Sequence, residues 1–314
     1  MSVTRSGLVR GPAQVTWNGI TMFSKEDIAP RHSPSWDPVL TSMYGEVDKV
    51  KKDLVIKIPL RLWGAWESIS VLFPTAVLNP VVGAAVFPAS DLPLVITARN
   101  GDQVTYANAQ LTKLADLRLG VDADVFAADV EFTAILKNSA NPEDDGAYYT
   151  TLTGATFTES AFAKTNFKRV RFTGAWGTKA GFTAIIPQDG FRLGWNLSLK
   201  PVTVDGLGTV DFTHNGLIAS CKCIPIQPTM VQVEAQAKLG GNGTGNGTAH
   251  GTLMGGNVAD LTLTGTGVTV VLKNAAIEES GYVWSNEKLR HGEISFSTTR
   301  GFTTGVPNAV ATVA

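Results

Sequence analysis

GLGTVDFTHNGLIASCKCIPIQPTMVQVEAQAKLGG, residues 206–241, reads as strand, tight turn, strand, proline, helix and glycine stop. Gly206, Gly208 and the pair Asn215-Gly216 are turn residues, because Gly and Asn tolerate positive φ at little steric cost. Thr209 to Thr213 is rich in β-branched and aromatic side chains, which suit a pleated strand. Leu217 to Ile224 is its partner, and Asn215-Gly216 between them is a strong hairpin signal. Pro225 and Pro228 end the ladder, since proline has no N–H to donate. Thr229 is placed as a helix N-cap, with Gln232 at capping-box spacing. Met230 to Leu239 has one broad apolar face through Met230, Val233 and Ala237, and Gly240-Gly241 supplies the stop.

The stretch has a partner earlier in the chain. Gly45-Glu46-Val47-Asp48 matches Gly208-Thr209-Val210-Asp211 at an offset of 163 residues. Ile58-Pro59 matches Ile224-Pro225 at 166, with Lys57 over Lys222 as the competing register. Gly101, Val104, Asn108-Ala109 and Leu111 match Gly267, Val270, Asn274-Ala275 and Ile277 at 166. Val130 and Glu131-Phe132 answer Ile294 and Ser295-Phe296 at 164, and Val15-Thr16-Trp17-Asn18-Gly19 answers Val170 to Gly174 at 155. Collinear matches whose offsets drift only as small insertions would make them imply an internal duplication.

Composition agrees. A chain of 314 residues fits two units better than one core. Hydrophobic residues make up 44%, which supports a folded chain, and 32 glycines among short β-branched runs argue for a mainly β class. The net charge of −1 gives no reason to expect a surface that coats nucleic acid. Up to Gly154 there are 13 Lys+Arg against 17 Asp+Glu, net −4, and from Ala155 onward 13 against 10, net +3. That contrast is a modest field for attraction between units. No apolar run reaches the ~18 residues of a membrane-spanning helix. Met1 to Gln14 lacks an apolar signal core. Cys221 and Cys223 are poorly placed on one strand to bridge each other, so a cytoplasmic site of folding is expected.

In chain order, residues 1–14 read as an N-terminal arm, 15–150 as one domain, 151–304 as a second and 305–314 as a C-terminal tail. Ile20 to Thr41 shows no clean period. Pro30, Pro34 and Pro38 punctuate it and Trp36 sits in its middle, so it is expected to be a long loop that either meets a partner or folds back on its own domain. Gly45 to Leu60 repeats the hairpin. Ala65 to Leu72 is the first-copy counterpart of the helix, and Pro74 ends it. Asp124, Asp129 and Glu131 lie along an acidic strand from Asp122 to Leu136. Residues 240–256 form a glycine-rich loop without the Gly-Lys-Ser/Thr ending of a phosphate-binding loop.

Catalytic constellations are thin. His32, His214 and His250 fall in loops or turns, and His291 precedes a strand. Cys221, Cys223 and His214 fall short of a recognisable four-ligand zinc set. No nucleophile elbow, paired-histidine helix or dinucleotide fingerprint is present. The chain does not read as an enzyme, and no cofactor or metal is expected.

The order arm, strand, long loop, Gly-Xaa-Val-Asp hairpin, proline, short helix and further strands resembles the major tail tube protein of long-tailed bacteriophages. Gly45, Val47, Asp48 and Pro59, with Gly208, Val210, Asp211 and Pro225, carry the resemblance. It implies tandem β-sandwich domains, each with a short flanking α-helix on the side away from a lumen. It also implies inner sheets joined between neighbours into a continuous barrel, and stacked rings of six domains bridged by the long loop. Trp36, Pro30, Pro34 and Pro38 are then the candidate inter-ring contacts. Asp124, Asp129 and Glu131 are the candidate lumen-facing acidic residues. A chain with two such domains would close a ring as a homotrimer. The implied partners are further copies of the chain, the tape measure protein, and the tail terminator and distal tail proteins. DNA would pass without specific binding, in a virion assembled in the host cytoplasm. Two rival classes are another virion ring or decoration protein, and a carbohydrate-binding β-sandwich using Trp63/Trp66 or Trp176/Trp195 as a platform.

Overall fold

A computed structural model describes residues 12–24, 28–73, 83–120, 125–138, 140–158, 170–179, 181–226, 258–284, 289–298 and 309–313. The structure is mainly β: 67% of the described residues are strand and 3% helical. The strands in order are β1 (Ala13–Trp17), β2 (Ile20–Ser24), β3 (Arg31–Thr41), β4 (Gly45–Gly64), β5 (Leu94–Thr97), β6 (Gln103–Tyr106), β7 (Asn108–Leu119) and β8 (Phe126–Ile135). They continue with β9 (Tyr149–Leu152), β10 (Thr173–Trp176), β11 (Pro187–Val204), β12 (Gly208–Pro225), β13 (Ala259–Gly265), β14 (Val268–Trp284), β15 (Leu289–Thr298) and β16 (Ala309–Val313).

Asn215-Gly216 is not a turn. Gly208 to Pro225 is one continuous strand, and its hairpin partner is β11. The turn is Asp205 to Leu207, where Gly206 has φ 78° and Leu207 N–H donates to Val204 O. Asn215-Gly216 is instead a bulge, because the β11–β12 register slips by one between Leu197/Leu217 and Leu199/His214. Gly216 absorbs the extra residue at φ 124°, which glycine tolerates.

The first copy repeats this arrangement. β4 is a single strand that pairs with β3 around the turn Ser42 to Tyr44. The segment expected as an aperiodic loop, Ile20 to Thr41, therefore holds β2 and β3. Pro34 and Pro38 fit there because β3, among the described residues, pairs only with β4, so their missing N–H groups face outward. The two hairpins agree residue for residue at an offset of 163. Thr41↔Gly45 corresponds to Val204↔Gly208, Val39↔Asp48 to Val202↔Asp211, Trp36↔Lys51 to Leu199↔His214, and Pro34↔Leu54 to Leu197↔Leu217. Both bulges recur, at Val47/Val210 and at Lys52/Asn215. Pro38 falls on Pro201.

The rest of the chain repeats too. β8 pairs with β4 and β7, as β15 pairs with β12 and β14. β1 pairs with β5 as β10 pairs with β13, and β9 pairs with β6 as β16 pairs with β14. Residues 309–313 are thus a paired strand within the segment expected as a tail, and β9 runs across the expected boundary at 150/151. The indole N–H of Trp17 donates to Ala109 O at 2.9 Å, and that of Trp176 to Ala275 O at 2.8 Å. Trp17 meets Phe132 edge-on with centroids 5.1 Å apart, and Trp176 meets Phe296 at 5.8 Å. Trp17 therefore answers Trp176, not Phe172, and Ile58, opposite Phe132, answers Cys221, opposite Phe296. The sequence matches at 155 and at Pro59/Pro225 were out of register. The Asn108-Ala109 and Phe132 matches are the ones these contacts follow.

These indoles join two layers of a β-sandwich. One layer is the run β14-β15-β12-β11-β7-β8-β4-β3, and the other holds β1, β2, β5, β6 and β9 beneath the first half and β10, β13 and β16 beneath the second. All sixteen strands are linked by hydrogen bonds into one sheet. Trp66 to Leu72 is a 3-10 helix, not an α-helix, and its N-cap has no side-chain partner. Seven residues with β-branched Ile69 and Val71 among them are too few and too poorly capped for α-helix. Its expected counterpart, Met230 to Leu239, lies outside the described residues, as does the glycine-rich loop 240–256.

Candidate assembly interface

The two halves meet at a junction that sequence reading missed. β11 pairs with β7 of the first half, through Phe191↔Leu119, Trp195↔Leu114 and Asn196↔Lys113. Ala115 is an extra residue in β7 here, and it faces Gly194. A Cβ on Gly194 would stand 2.9 Å from Ala115 O, so the close approach needs glycine. The Trp195 indole N–H donates to Leu72 O at 2.9 Å, tying β11 to the end of the 3-10 helix.

The tip of the β11–β12 hairpin is covered by the first half. Gly83 N–H donates to His214 O and Val86 N–H to Phe212 O, both at 2.8 Å, and the rings of Phe87 and Phe212 lie 6.3 Å apart. His214 is fully buried. Asp53 of β4 accepts the Thr209 N–H at 2.8 Å and also the Thr209 hydroxyl. The sequence clue was weak, since an Asp after Lys51-Lys52 resembles any solvated charge.

The equivalent tip of the first half, β3–β4, has no such cover among the described residues. Every residue of β3 is exposed. Trp36 is 51% exposed, and Leu40, Met43, Tyr44, Val47 and Val50 are exposed beside it. They form an exposed apolar set on one hairpin. Lys51, at the position of buried His214, is exposed. It lines a groove of about 710 Å³ with His32, Glu143, Asp145, Tyr148 and Tyr149. Trp36, Pro34 and Pro38 all lie on this edge strand, and Pro30 lies just before it.

The eight-strand layer turns one face to the core and the other outward. On β8, Phe126, Ala128, Val130 and Phe132 are buried, while Asp129 and Glu131 alternate onto the outer face. Asp124 lies outside the described residues. The outer face is not an acidic stripe, because cations stand beside the acids, on a neighbouring strand or two residues along the same one. Glu131 meets Lys57 at 3.8 Å, Asp129 meets Arg61 at 3.5 Å, Asp116 meets Arg118 at 3.2 Å and Glu293 meets Lys222 at 2.9 Å. Such exposed pairs add little stability. Each of these acids is matched by a cation at its side.

The aromatic platforms of a carbohydrate module are not on the surface. Trp66, Trp176 and Trp195 are buried, and Trp63 is half-buried against Phe23. Cys221 and Cys223 are buried free thiols on the core face of β12. Among the described residues no group of three or more His, Cys, Asp or Glu is placed to hold a metal ion, and no helix is long and apolar enough to cross a membrane. No protein-family model matches the chain, and no curated protein matches its sequence.

Proposed function

We propose that this protein is the building block of a phage-type tail tube, a structural virion protein whose copies join edge to edge into rings that stack around a conduit for DNA. The observation that carries the reading is the junction between β11 and β7. It already joins two equivalent half-layers within one chain. The same layer ends in β3 on one side and in β14 on the other, and Ala276 to Trp284 of β14 pairs only with β15 among the described residues. An open strand edge is a template for another chain, and closing the sheet into a barrel removes it.

The two halves, about 15–150 and 151–304, act on this reading as tandem tail-tube domains. Three chains then fill six positions, and closed cyclic assembly is the expected outcome of head-to-tail contacts. Eight strands per chain give twenty-four around a trimer. At ~4.8 Å per strand and a tilt of ~40° that is a barrel roughly 45–50 Å across, or some 35–40 Å inside its side chains. A dimer's sixteen strands would leave far less room for a duplex. The balanced charges of the outer face suit a lumen wall, since a wall without net positive field avoids the phosphate contacts that hold DNA non-specifically. The tape measure protein would occupy the lumen during assembly, and tail terminator and distal tail proteins would meet the tube ends. On this reading the exposed face of Trp36 would contact the next ring, beside the edge that the hairpin offers within its own ring.

Negative-stain microscopy of purified protein tests this, with long tubes of uniform width as the expected result. End-on cryo-microscopy views should show three chains per ring. A stable soluble monomer at high concentration overturns the reading, and six chains per ring overturns the trimer.

A further inference from the structure

We infer that the β3–β4 hairpin of one copy seats on a second copy's β14 edge in one defined register, with His32 opposite Ser280 and Ser33 opposite Glu279. This rests on the ring reading above and adds the residues that form the joint. The in-chain junction is the template. Trp195 and Asn196 of β11 correspond to His32 and Ser33 of β3 at the hairpin offset of 163. Leu114 and Lys113 of β7 correspond to Ser280 and Glu279 of β14, because Leu114↔Val130 and Lys113↔Glu131 repeat as Ser280↔Ile294 and Glu279↔Ser295. The in-chain pairs Trp195↔Leu114 and Asn196↔Lys113 thus translate into His32↔Ser280 and Ser33↔Glu279.

Local differences between the two seats match the residues that would enter them. β7 carries the extra residue Ala115, and β11 offers Gly194 to it. β14 has no extra residue between Ser280 and Tyr282, where the slip lies on β15 instead, and β3 offers Arg31 at the position of Gly194. At the tip, Thr209 meets Asp53 within the chain. The corresponding positions between chains are Glu46 and Gly216. A carboxylate at 216 would face Glu46, and glycine removes that repulsion. By the same logic Asp53 repels Glu46, so the β3–β4 hairpin of a second copy is kept off the seat that β11–β12 fills. Like charges set against wrong partners are a usual source of specificity.

Paired cysteines test the register. Full-length protein carrying His32→Cys with Ser280→Cys, or Ser33→Cys with Glu279→Cys, is assembled and treated with a copper oxidant that takes up the electrons released by the two thiols. Opposed strand residues alternate between closer and wider pairs, so at least one double variant should link. The expected product on a non-reducing gel is a ladder ending at three chains. His32→Cys with Tyr282→Cys, two residues out of register, should not link. Tubes that form normally but link in neither pair, or only in the offset pair, overturn this joint and leave the conduit reading standing. Efficient linking to closed trimers that never stack supports the joint and overturns the conduit. Links confined to single chains overturn the joint.

Discussion

Replacing Asp53 by alanine should loosen the joint between the two halves of the chain. Asp53 is partly exposed, but its partner Thr209 is only 2% exposed. The carboxylate accepts the Thr209 N–H at 2.8 Å and the Thr209 hydroxyl, and it also accepts the Leu54 N–H at 2.8 Å. Hydrogen bonds to a charged group contribute roughly 1.5–3 kcal/mol each, and a buried donor left unpaired costs a further ~1–3 kcal/mol. The bonds share one acceptor group and water can reach part of the site, so they do not add. The expected loss is about 2–4 kcal/mol, or ~5–10 °C in Tm. Asp53→Asn keeps a carbonyl oxygen for the Thr209 N–H and should lose about half as much. Urea unfolding followed by circular dichroism and by the summed fluorescence of the seven tryptophans, Trp195 at the junction among them, measures both variants. A second, earlier transition in Asp53→Ala is the specific signature of halves that part before they unfold. If Asp53→Ala stays within ~0.5 kcal/mol of the parent and unfolds in one step, as an ordinary surface substitution would, the carboxylate does not hold the junction.

Other expectations follow from the same contacts. Trp17→Phe and Trp176→Phe should each cost about 2–4 kcal/mol by leaving the Ala109 or Ala275 carbonyl unpaired and a small void, and thermal melts in which only one of them loses stability would contradict their equivalence. Trp36→Ala should leave the monomer's melting temperature almost unchanged, because the side chain is 51% exposed, yet slow tube growth by light scattering; unchanged growth would remove Trp36 from any contact between rings. Burial pushes the Tyr106 hydroxyl up to about 12 from 10.0, and burial pushes the Cys223 thiol up to about 12 from 9.0. The unfolded chain therefore sheds protons that the folded chain keeps, so the stability these two groups contribute is present below pH 9 and is lost as pH rises from 9 to 12. Tyr106→Phe should flatten the upper part of that fall in pH-dependent urea titrations. Cys221 and Cys223 should resist a thiol reagent at neutral pH until denaturant is added, and rapid reaction of the native protein would show that β12 opens locally.

The β class and the recurrence of one strand-pairing pattern were legible because they rest on signals repeated many times along the chain. The Gly-Xaa-Val-Asp motif was read in the right register and with the wrong geometry. Its glycine begins a strand just past the turn, and Asn-Gly downstream is a bulge. A bulge and a turn draw on the same residues, since both need positive φ, and only the length of paired strand on either side separates them. β3 was hidden by its prolines, which sequence rules exclude from central strands and admit at edges, and edge position is a property of the whole sheet. Trp17 was set against Phe172 because local similarity outweighed the single hydrogen bond that aligns Trp17 with Trp176. The junction residues Asp53, Gly194, Trp195 and Thr209 had no signal of their own. Each has an ordinary strand or turn composition, and its role comes from a strand met about 80 residues or more away in sequence. The alternating charges on the outer face were half visible, as Asp129 and Glu131, while their partners Lys57 and Arg61 lie on another strand.

The pairing of β11 with β7 also sets an order of events during synthesis. β7 and β8 are complete by Ile135, whereas β11 begins at Pro187, some fifty residues later. At ~5–20 residues per second the ribosome leaves the flank of β7 uncovered for several seconds. On a polysome, neighbouring nascent chains would present their own β3 strands to that flank at high local concentration, each poised to splice two unfinished molecules together. The negative charge of Asp53 is already in place at that moment, waiting beside the vacant slot, and it favours the threonine that arrives later on the same chain over the glutamate offered by a stranger.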